Sequence, residues 1–476
     1  MKRRTFVSSG AAVAGAAAVG VVDSPAQAAS GTSLTSRERH QARRPETIAA
    51  RQLIFGVEHV DPRTGLLPLD RVIVSWITNS SFAVAVGGRV VYLDTFITRL
   101  EVTPGRTPFV IQDLVNAAPR AILIGHGHSD HAENAAYLAA KTGATLYASE
   151  ETAITMRADF ERMVNDPMIQ GDPVARFPRN VELDLVVVTT AGSTPGTQIL
   201  RLDFLEPFAQ VVAFRHLHSI ATPADPAYPR NSLVPPDGVI PVDPRDAALF
   251  PPGIPLRPSN PPQPGQLNLR TGGGDGGPVA MFYNITLRRG SFFSMGWQDT
   301  IGALREGKGS AWPDGVPADG QRITDILMAM APLDWFSAAV GTANFLNNGL
   351  RDLIDYQQAV RAKIFVPNHQ TTGGSDVGET KAVVHYAVYL EQLRNMGLPP
   401  DQWPDIRWTA DPSDYLKPMV FDAATRDPSI LRGRIAQLRR FDRYPYAERK
   451  GRGRERAAST GAAAISASSE APADCC

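Results

Sequence analysis

Two runs of alternating β-branched and smaller residues open the patterned part of the chain, "RVIVSWIT" at 71–78 and "SFAVAVGGRVVYLDTF" at 81–96. Period-two strands broken at Gly87-Gly88 predict a hairpin. In "TPFVIQDLVNAA" (107–118) Val110, Ile111, Leu114 and Val115 share one helical face, and "AILIG" (121–125) follows as a buried strand. The order then repeats. "AENAAYLAAKTG" (132–143) predicts a helix stopped by Gly143, "ATLYAS" (144–149) a strand, and "ETAITMRADFERM" (151–163) a further helix. Such alternation predicts an α/β layering.

A second β-rich stretch runs from about 181 to 220, and there the pattern fails. Fourteen prolines fall between 221 and 264, too many for the interior of a sheet or helix. The segment is also too long for an ordinary connection, which predicts either a lid or wrap over the surface or an ordered excursion without function. "GGGDGG" (272–277) ends it as a flexible joint. Strands resume in "VAMFYNITLRRGSFFSMG" (279–296), with Gly290 near a turn. Helices are expected in "FLNNGLRDLIDYQQAVRAK" (345–363) and "KAVVHYAVYLEQLRNMG" (381–397), on either side of the short strand "IFVPNH" (364–369).

The rest of the organisation follows from composition. Residues 30–70 are polar and proline-punctuated, an extended lead-in; 71–450 form one domain carrying the 221–264 insertion; 451–476 lose apolar residues other than alanine and one isoleucine and are expected to be disordered. Lys plus Arg and Asp plus Glu both number 48, so no broad positive field exists to neutralise phosphates, and a nucleic-acid partner is not expected. The two cysteines, Cys475 and Cys476, close the tail, so thiolates carry neither fold nor metal site.

At the other end, "MKRRTFVSSGAAVAGAAAVGVVDSPAQAAS" has a basic start, a weakly apolar stretch and Ala26-Gln27-Ala28 as a small-residue cleavage site. Arg3 and Arg4 before Thr5 and Phe6 resemble a twin-arginine signal over 1–29. The resemblance implies the twin-arginine export machinery as a partner and a mature protein beyond the inner membrane, whether periplasmic, in the cell envelope or secreted. The apolar run is interrupted by glycines and falls short of the roughly 20 residues a spanning helix needs, so no stable transmembrane segment is expected in the mature chain.

The chemistry concentrates in "AILIGHGHSDHAEN" (121–134), where His126, His128, Asp130 and His131 leave a strand and enter a helix. Imidazole and carboxylate are ligands that zinc and similar ions accept without thiolate, and the spacing serves two ions rather than one. This motif, in this setting, resembles the metallo-β-lactamase fold superfamily over about residues 72–369. The resemblance implies a four-layered αββα sandwich with a dinuclear site at one edge of its two sheets. Asp94, ending "VVYLD", matches a family aspartate that braces the histidine loop.

Two ions need further ligands from later in the chain. "VVAFRHLHS" offers both His216 and His218; the family pattern, a strand ending in histidine and then a small residue, favours His218, although period-two spacing leaves His216 open. "SFFSMGWQDTIG" resembles the Gly-Asp-Thr turn that carries a bridging carboxylate, at Asp299, with Trp297 and Gln298 separating it from Gly296. "KIFVPNHQTT" presents His369 like the closing histidine of the family. His40, His59 and His385 carry no assigned role.

The resemblance implies two divalent cations, Zn2+ first and Mn2+ or Fe2+ as alternatives, sharing a hydroxide at neutral pH. Asp130 and Asp299 are the expected catalytic residues, orienting that hydroxide and taking up its proton. An ester, lactone or phosphodiester in a small-molecule or lipid-like substrate suits this chemistry. A true β-lactamase is disfavoured because the core has no cysteine and has Asp299. The opening "SWITNSSFAVAVGGRVVYLDTF" and the close "VPNH" look most like the branch with ascorbate-6-phosphate lactonase-like proteins and N-acylphosphatidylethanolamine phospholipase D. Two other functions stay open: an iron-containing redox enzyme of the same fold, and a metal-holding binding protein without turnover.

Overall fold

The computed structural model describes residues 34–97, 109–220, 277–340, 350–369, 382–408, 414–425 and 428–444. The expected signal segment 1–29, insertion 221–264, glycine joint up to 276 and tail 451–476 lie outside the described residues.

The alternating runs form strands β1 (Arg71–Thr78), β2 (Ser81–Val86) and β3 (Arg89–Leu93). Gly87 and Gly88 both take positive φ, 58° and 74°, as the two-residue hairpin turn between β2 and β3 requires. Three short strands follow in parallel, β4 (Ala121–Leu123), β5 (Thr145–Ala148) and β6 (Leu185–Val187). With β14 (Met419–Asp422) at the opposite edge, they make a seven-stranded sheet ordered β14-β1-β2-β3-β4-β5-β6. The second sheet repeats the design in reverse. Its antiparallel part is β7 (Ile199–Leu202), β8 (Ala209–Arg215), β9 (Met281–Leu287) and β10 (Ser294–Trp297); its parallel part continues through β11 (Trp335–Ala339), β12 (Ile364–Asn368) and β13 (Asp405–Ile406).

The sheets face one another across a shared core. Phe82 meets Trp335 edge-on at 5.7 Å between ring centroids, and the Tyr283 hydroxyl donates to the Ile124 carbonyl at 3.0 Å. Trp76, Trp297 and Trp335 are fully buried, each contributing about 1.5–3 kcal/mol or more of apolar transfer free energy. Helices α2 (Pro45–Phe55), α3 (Ile111–Asn116), α5 (Ala135–Thr142) and α6 (Glu150–Asn165) cover the first sheet. Helices α8 (Pro317–Met330), α9 (Arg351–Val360) and α10 (Ala382–Asn395) cover the second, through a separate apolar layer around Phe282, Phe336 and Phe365. The result is the expected four-layered α/β sandwich. Helices α1 (Ser36–Ala42), α4 (Ser129–Ala132), α7 (Pro167–Gly171) and α11 (Pro428–Phe441), with short 3-10 turns at Val57–His59 and Pro400–Gln402, lie beside them. No helix among the described residues is long and apolar enough to cross a membrane.

Two regions differ from the sequence reading. Residues 34–70, expected to be extended, contain α1 and α2. Thr35 and Glu38 form a reciprocal capping box, and Pro45 starts α2 rather than breaking it, because the first helical position needs no N–H. Buried Arg51 ties α2 down by donating to the carbonyls of Ala117 and Gly65 at 3.1 and 2.7 Å. No element is expected above for 317–339, yet α8 buries Ile323, Leu327 and Met330, and β11 joins β10 to β12.

Candidate metal centre

β1 and β3 flank β2 antiparallel, and β4 is parallel to β3, so β1, β3 and β4 run the same way; β8, β10 and β12 do so in the other sheet. Every candidate ligand lies just past the C-terminal end of one of these strands. Asp94 follows β3, the His126–His131 segment follows β4, and His218, Asp299 and His369 follow β8, β10 and β12. This is the edge of an α/β sheet where loops converge and ligands usually bind.

The seven predicted ligand residues are brought together. His126, His128 and His218 form one group: His126 Nε2 lies 2.9 Å from His128 Nδ1 and 3.3 Å from His218 Nε2. Asp130, His131 and His369 form a second, with Asp130 Oδ2 at 3.3 Å from His131 Nε2 and 3.2 Å from His369 Nε2. Asp299 joins the two, its Oδ2 2.8 Å from His126 Nδ1 and 3.1 Å from His131 Nδ1. Asp94 stands behind: Oδ2 meets His131 Nδ1 at 2.8 Å, and Oδ1 accepts from the Gly125 N–H at 3.0 Å.

These contacts assign the ring protons. His126 and His131 donate through Nδ1 to carboxylates, and His218 Nδ1 donates to the Ser219 carbonyl at 2.8 Å, so all three rings turn Nε2 to the cluster, that of His131 facing Asp130 Oδ2. Burial pushes His126 down to about 3, reinforced by the neighbouring His131 and His128 against the pull of Asp299. Burial also holds His218 well below the usual histidine range. Burial works the same way on His131, but the carboxylates of Asp130, Asp299 and Asp94 outweigh it and raise His131 well above that range. Asp94 is raised to about 8 by burial and then by the charge of Asp299. Asp130 and Asp299 resist burial and stay well below the usual carboxylate range, the first through His131 and His369, the second through His126 and His131.

His216 parts from His218 here. The strand ends at Arg215, and the His216 ring turns to the Tyr356 hydroxyl at 3.3 Å, away from the cluster. Burial pushes it down to about 4.

The donor set fits cations. The Nε2 atoms of His126 and His218, whose protons sit on Nδ1, turn lone pairs to each other at 3.3 Å, an arrangement that an electrophile between them relieves. Asp299 Oδ1, fully buried, has no hydrogen-bond partner among the described residues.

Three residues of the site were not legible as such. Gly125 lets Asp299 approach: a Cβ there would sit 2.0 Å from Asp299 Oδ2. The Ser310 hydroxyl meets His218 Nδ1 at 2.8 Å from a loop with no sequence signal. Asn79, in the turn after β1, donates to Asp130.

The fold and site together define a two-sheet α/β sandwich with a buried histidine and aspartate cluster at one edge. No protein-family model and no curated protein matches the chain. Among solved structures it is similar to Igni18, a metallo hydrolase from the archaeon Ignicoccus hospitalis, at 13% identity and a TM-score of 0.40, over 74% of this chain and 99% of that one. It is similar to the metallo-β-lactamase fold protein YhfI from Bacillus subtilis at 10% identity and a TM-score of 0.33, over 74% and 99%. CmlA, a diiron β-hydroxylase from Streptomyces venezuelae, aligns at 11% identity and a TM-score of 0.37, over 75% of this chain and 54% of its own.

Proposed function

We propose that this chain is an exported metal-dependent hydrolase acting on an ester, lactone or phosphodiester bond of a small-molecule or lipid-like substrate. His126, His128 and His218 would hold one divalent cation, Asp130, His131 and His369 a second, with Asp299 shared between them. The observation that carries the reading is the convergence of these side chains, drawn from both sheets, into two adjoining donor sets in which all but the half-buried His128 are buried. Bound cations of this kind polarise the electrophile and lower the pKa of a coordinated water from 15.7 to about 7. The chain's own residues do the rest. Asp299 Oδ2 and Asp94 Oδ2 fix the His126 and His131 rings, and the carboxylates of Asp130 and Asp299 would take up a proton from the attacking water. Zn2+ suits nitrogen and oxygen donors without thiolate; Mn2+ and Fe2+ are accommodated by the same set. Export rests on Arg3, Arg4 and the Ala26-Gln27-Ala28 site.

The test is mass spectrometry of the purified native protein, wild type and Asp299→Asn, beside a panel of chromogenic phosphodiesters, lactones and esters. Close to two metals per wild-type chain are expected, with turnover lowered at least about 100-fold in the variant. A mature chain cut at the Ala26-Gln27-Ala28 site, and so lacking the signal segment, is expected in the exported fraction as well. Full turnover in Asp299→Asn would remove that residue from the site, and iron with no hydrolysis would move the reading to redox chemistry.

A further inference from the structure

We propose that Asn79 is the positioning residue of the second half of the site: its side-chain amide holds Asp130 while its main chain holds His369, so one turn residue sets the spacing of two ligands that come from different sheets. This rests on the reading of Asp130, His131 and His369 as a cation site.

Asn79 Nδ2 donates to the Asp130 carbonyl at 2.8 Å and approaches Asp130 Oδ2 at 3.3 Å. That carboxylate oxygen is the one facing both His131 Nε2 and His369 Nε2. The Asn79 carbonyl accepts from the His369 N–H at 3.2 Å and from Trp76 Nε1–H at 2.8 Å. The next residue extends the tie. Ser80 O accepts from Trp297 Nε1–H at 3.2 Å, and Ser80 Oγ donates to Asn368 Oδ1 at 3.2 Å. Asn368 Nδ2 in turn donates to the Gln298 carbonyl at 2.7 Å, one residue before Asp299. A turn in the first sheet therefore grips the ends of β10 and β12 in the second.

The choice of asparagine follows from two demands. Asn79 has φ 50°, a left-handed backbone that asparagine, aspartate and glycine adopt more readily than other residues. The site also needs a short donor beside a buried carboxylate. Glycine has no such donor, and aspartate would set a second negative charge against Asp130.

Asn79→Gly is the clean deletion, since glycine keeps the turn and both main-chain bonds. Asn79→Asp keeps the shape and replaces the donor with an acceptor. Metal-stripped full-length chains are titrated with Zn2+ by calorimetry, and with Co2+ to follow the visible spectrum of each ion. Wild type is expected to show two binding events. In Asn79→Gly the event belonging to the second group should weaken about 10- to 100-fold with the other unchanged, and Asn79→Asp should weaken it at least as much. Two wild-type-like events in Asn79→Gly would overturn the proposal, as would equal loss of both events together with a lowered Tm, which marks a general structural role. A wild-type chain that takes up fewer than two Zn2+ overturns the cation reading itself, and this proposal with it.

Discussion

The two halves of the cluster share a wall and little else. In the first, His126 and His218 are kept neutral by burial, and His218 is braced by a backbone carbonyl and the Ser310 hydroxyl. In the second, a carboxylate and a histidine held in its charged form compensate each other, with Asp94 and Asn79 behind them. One half is therefore ready for a cation because its protons are already gone. The other must exchange a proton for a cation, and its ion pairs keep it organised meanwhile. Neighbouring ligand sets built from the same residue types can thus differ in what they cost to fill.

The largest effect is expected where the halves meet. Gly125→Ala would drive a methyl group into the Asp299 carboxylate, whose Cγ would lie 2.1 Å from the new Cβ. Asp299 is fully buried and bonded to rings of both groups, so it can retreat only by releasing them. Zn2+ affinity should fall at both halves, by about 100-fold or more. Calorimetry that shows one event intact would mean Asp299 belongs to a single half, which breaks the shared-wall account.

A smaller and one-sided effect is expected at Asp94→Asn. The amide oxygen can still accept from His131 Nδ1, but the carboxyl that can give up its proton, and so offer a negative charge to the ring when a cation binds, is gone. The second half should lose about 10- to 100-fold in Zn2+ affinity while the first is unchanged. Equal losses at both would show that the distinction between the halves is not one of charge.

Much of this comparison can be read from the chain, and the boundary has physical causes. "HGHSDH" is local, so its ligands and the strand before it appear in sequence, as do the period-two hairpin and the helices carrying an apolar stripe. Contacts made across the fold leave no such trace. "TNSS" carries no signal of its own, although Asn79 and Ser80 reach residues 51 and 288 positions away. His216 and His218 look equivalent because period-two spacing assumes that the strand continues; it stops at Arg215, and the two rings turn to different neighbours. The lead-in misleads for the opposite reason, since its prolines, read as punctuation, include one that begins a helix.

The smallest effect concerns protons alone, and it separates the halves without any substitution. In the metal-free chain His131 is raised above its unfolded value near 6.5, and Asp94 is raised to about 8 from an unfolded value near 3.9. Both groups hold protons in the folded state that the unfolded chain releases sooner, so their contribution is lost as pH rises through the folded values. His126 and His218 are lowered and are neutral in either state above pH 6.5, so they add no slope there; their contribution declines only as pH falls below that point. Asp130 and Asp299 are likewise lowered, with contributions present above about 3.9 and lost on acidification. From pH 6.5 to about 8, then, metal-stripped protein should become less stable by up to about 1.4 kcal/mol per pH unit for each retained proton, a Tm shift of roughly 2 °C per unit. Saturating Zn2+ should remove or reverse that slope, because a cation at His131 Nε2 takes the place of its proton and binds better as pH rises. A calorimetric series in which the metal-stripped Tm is flat or climbs across this window would show that the second half holds no exchangeable proton, and the halves would then differ in geometry alone.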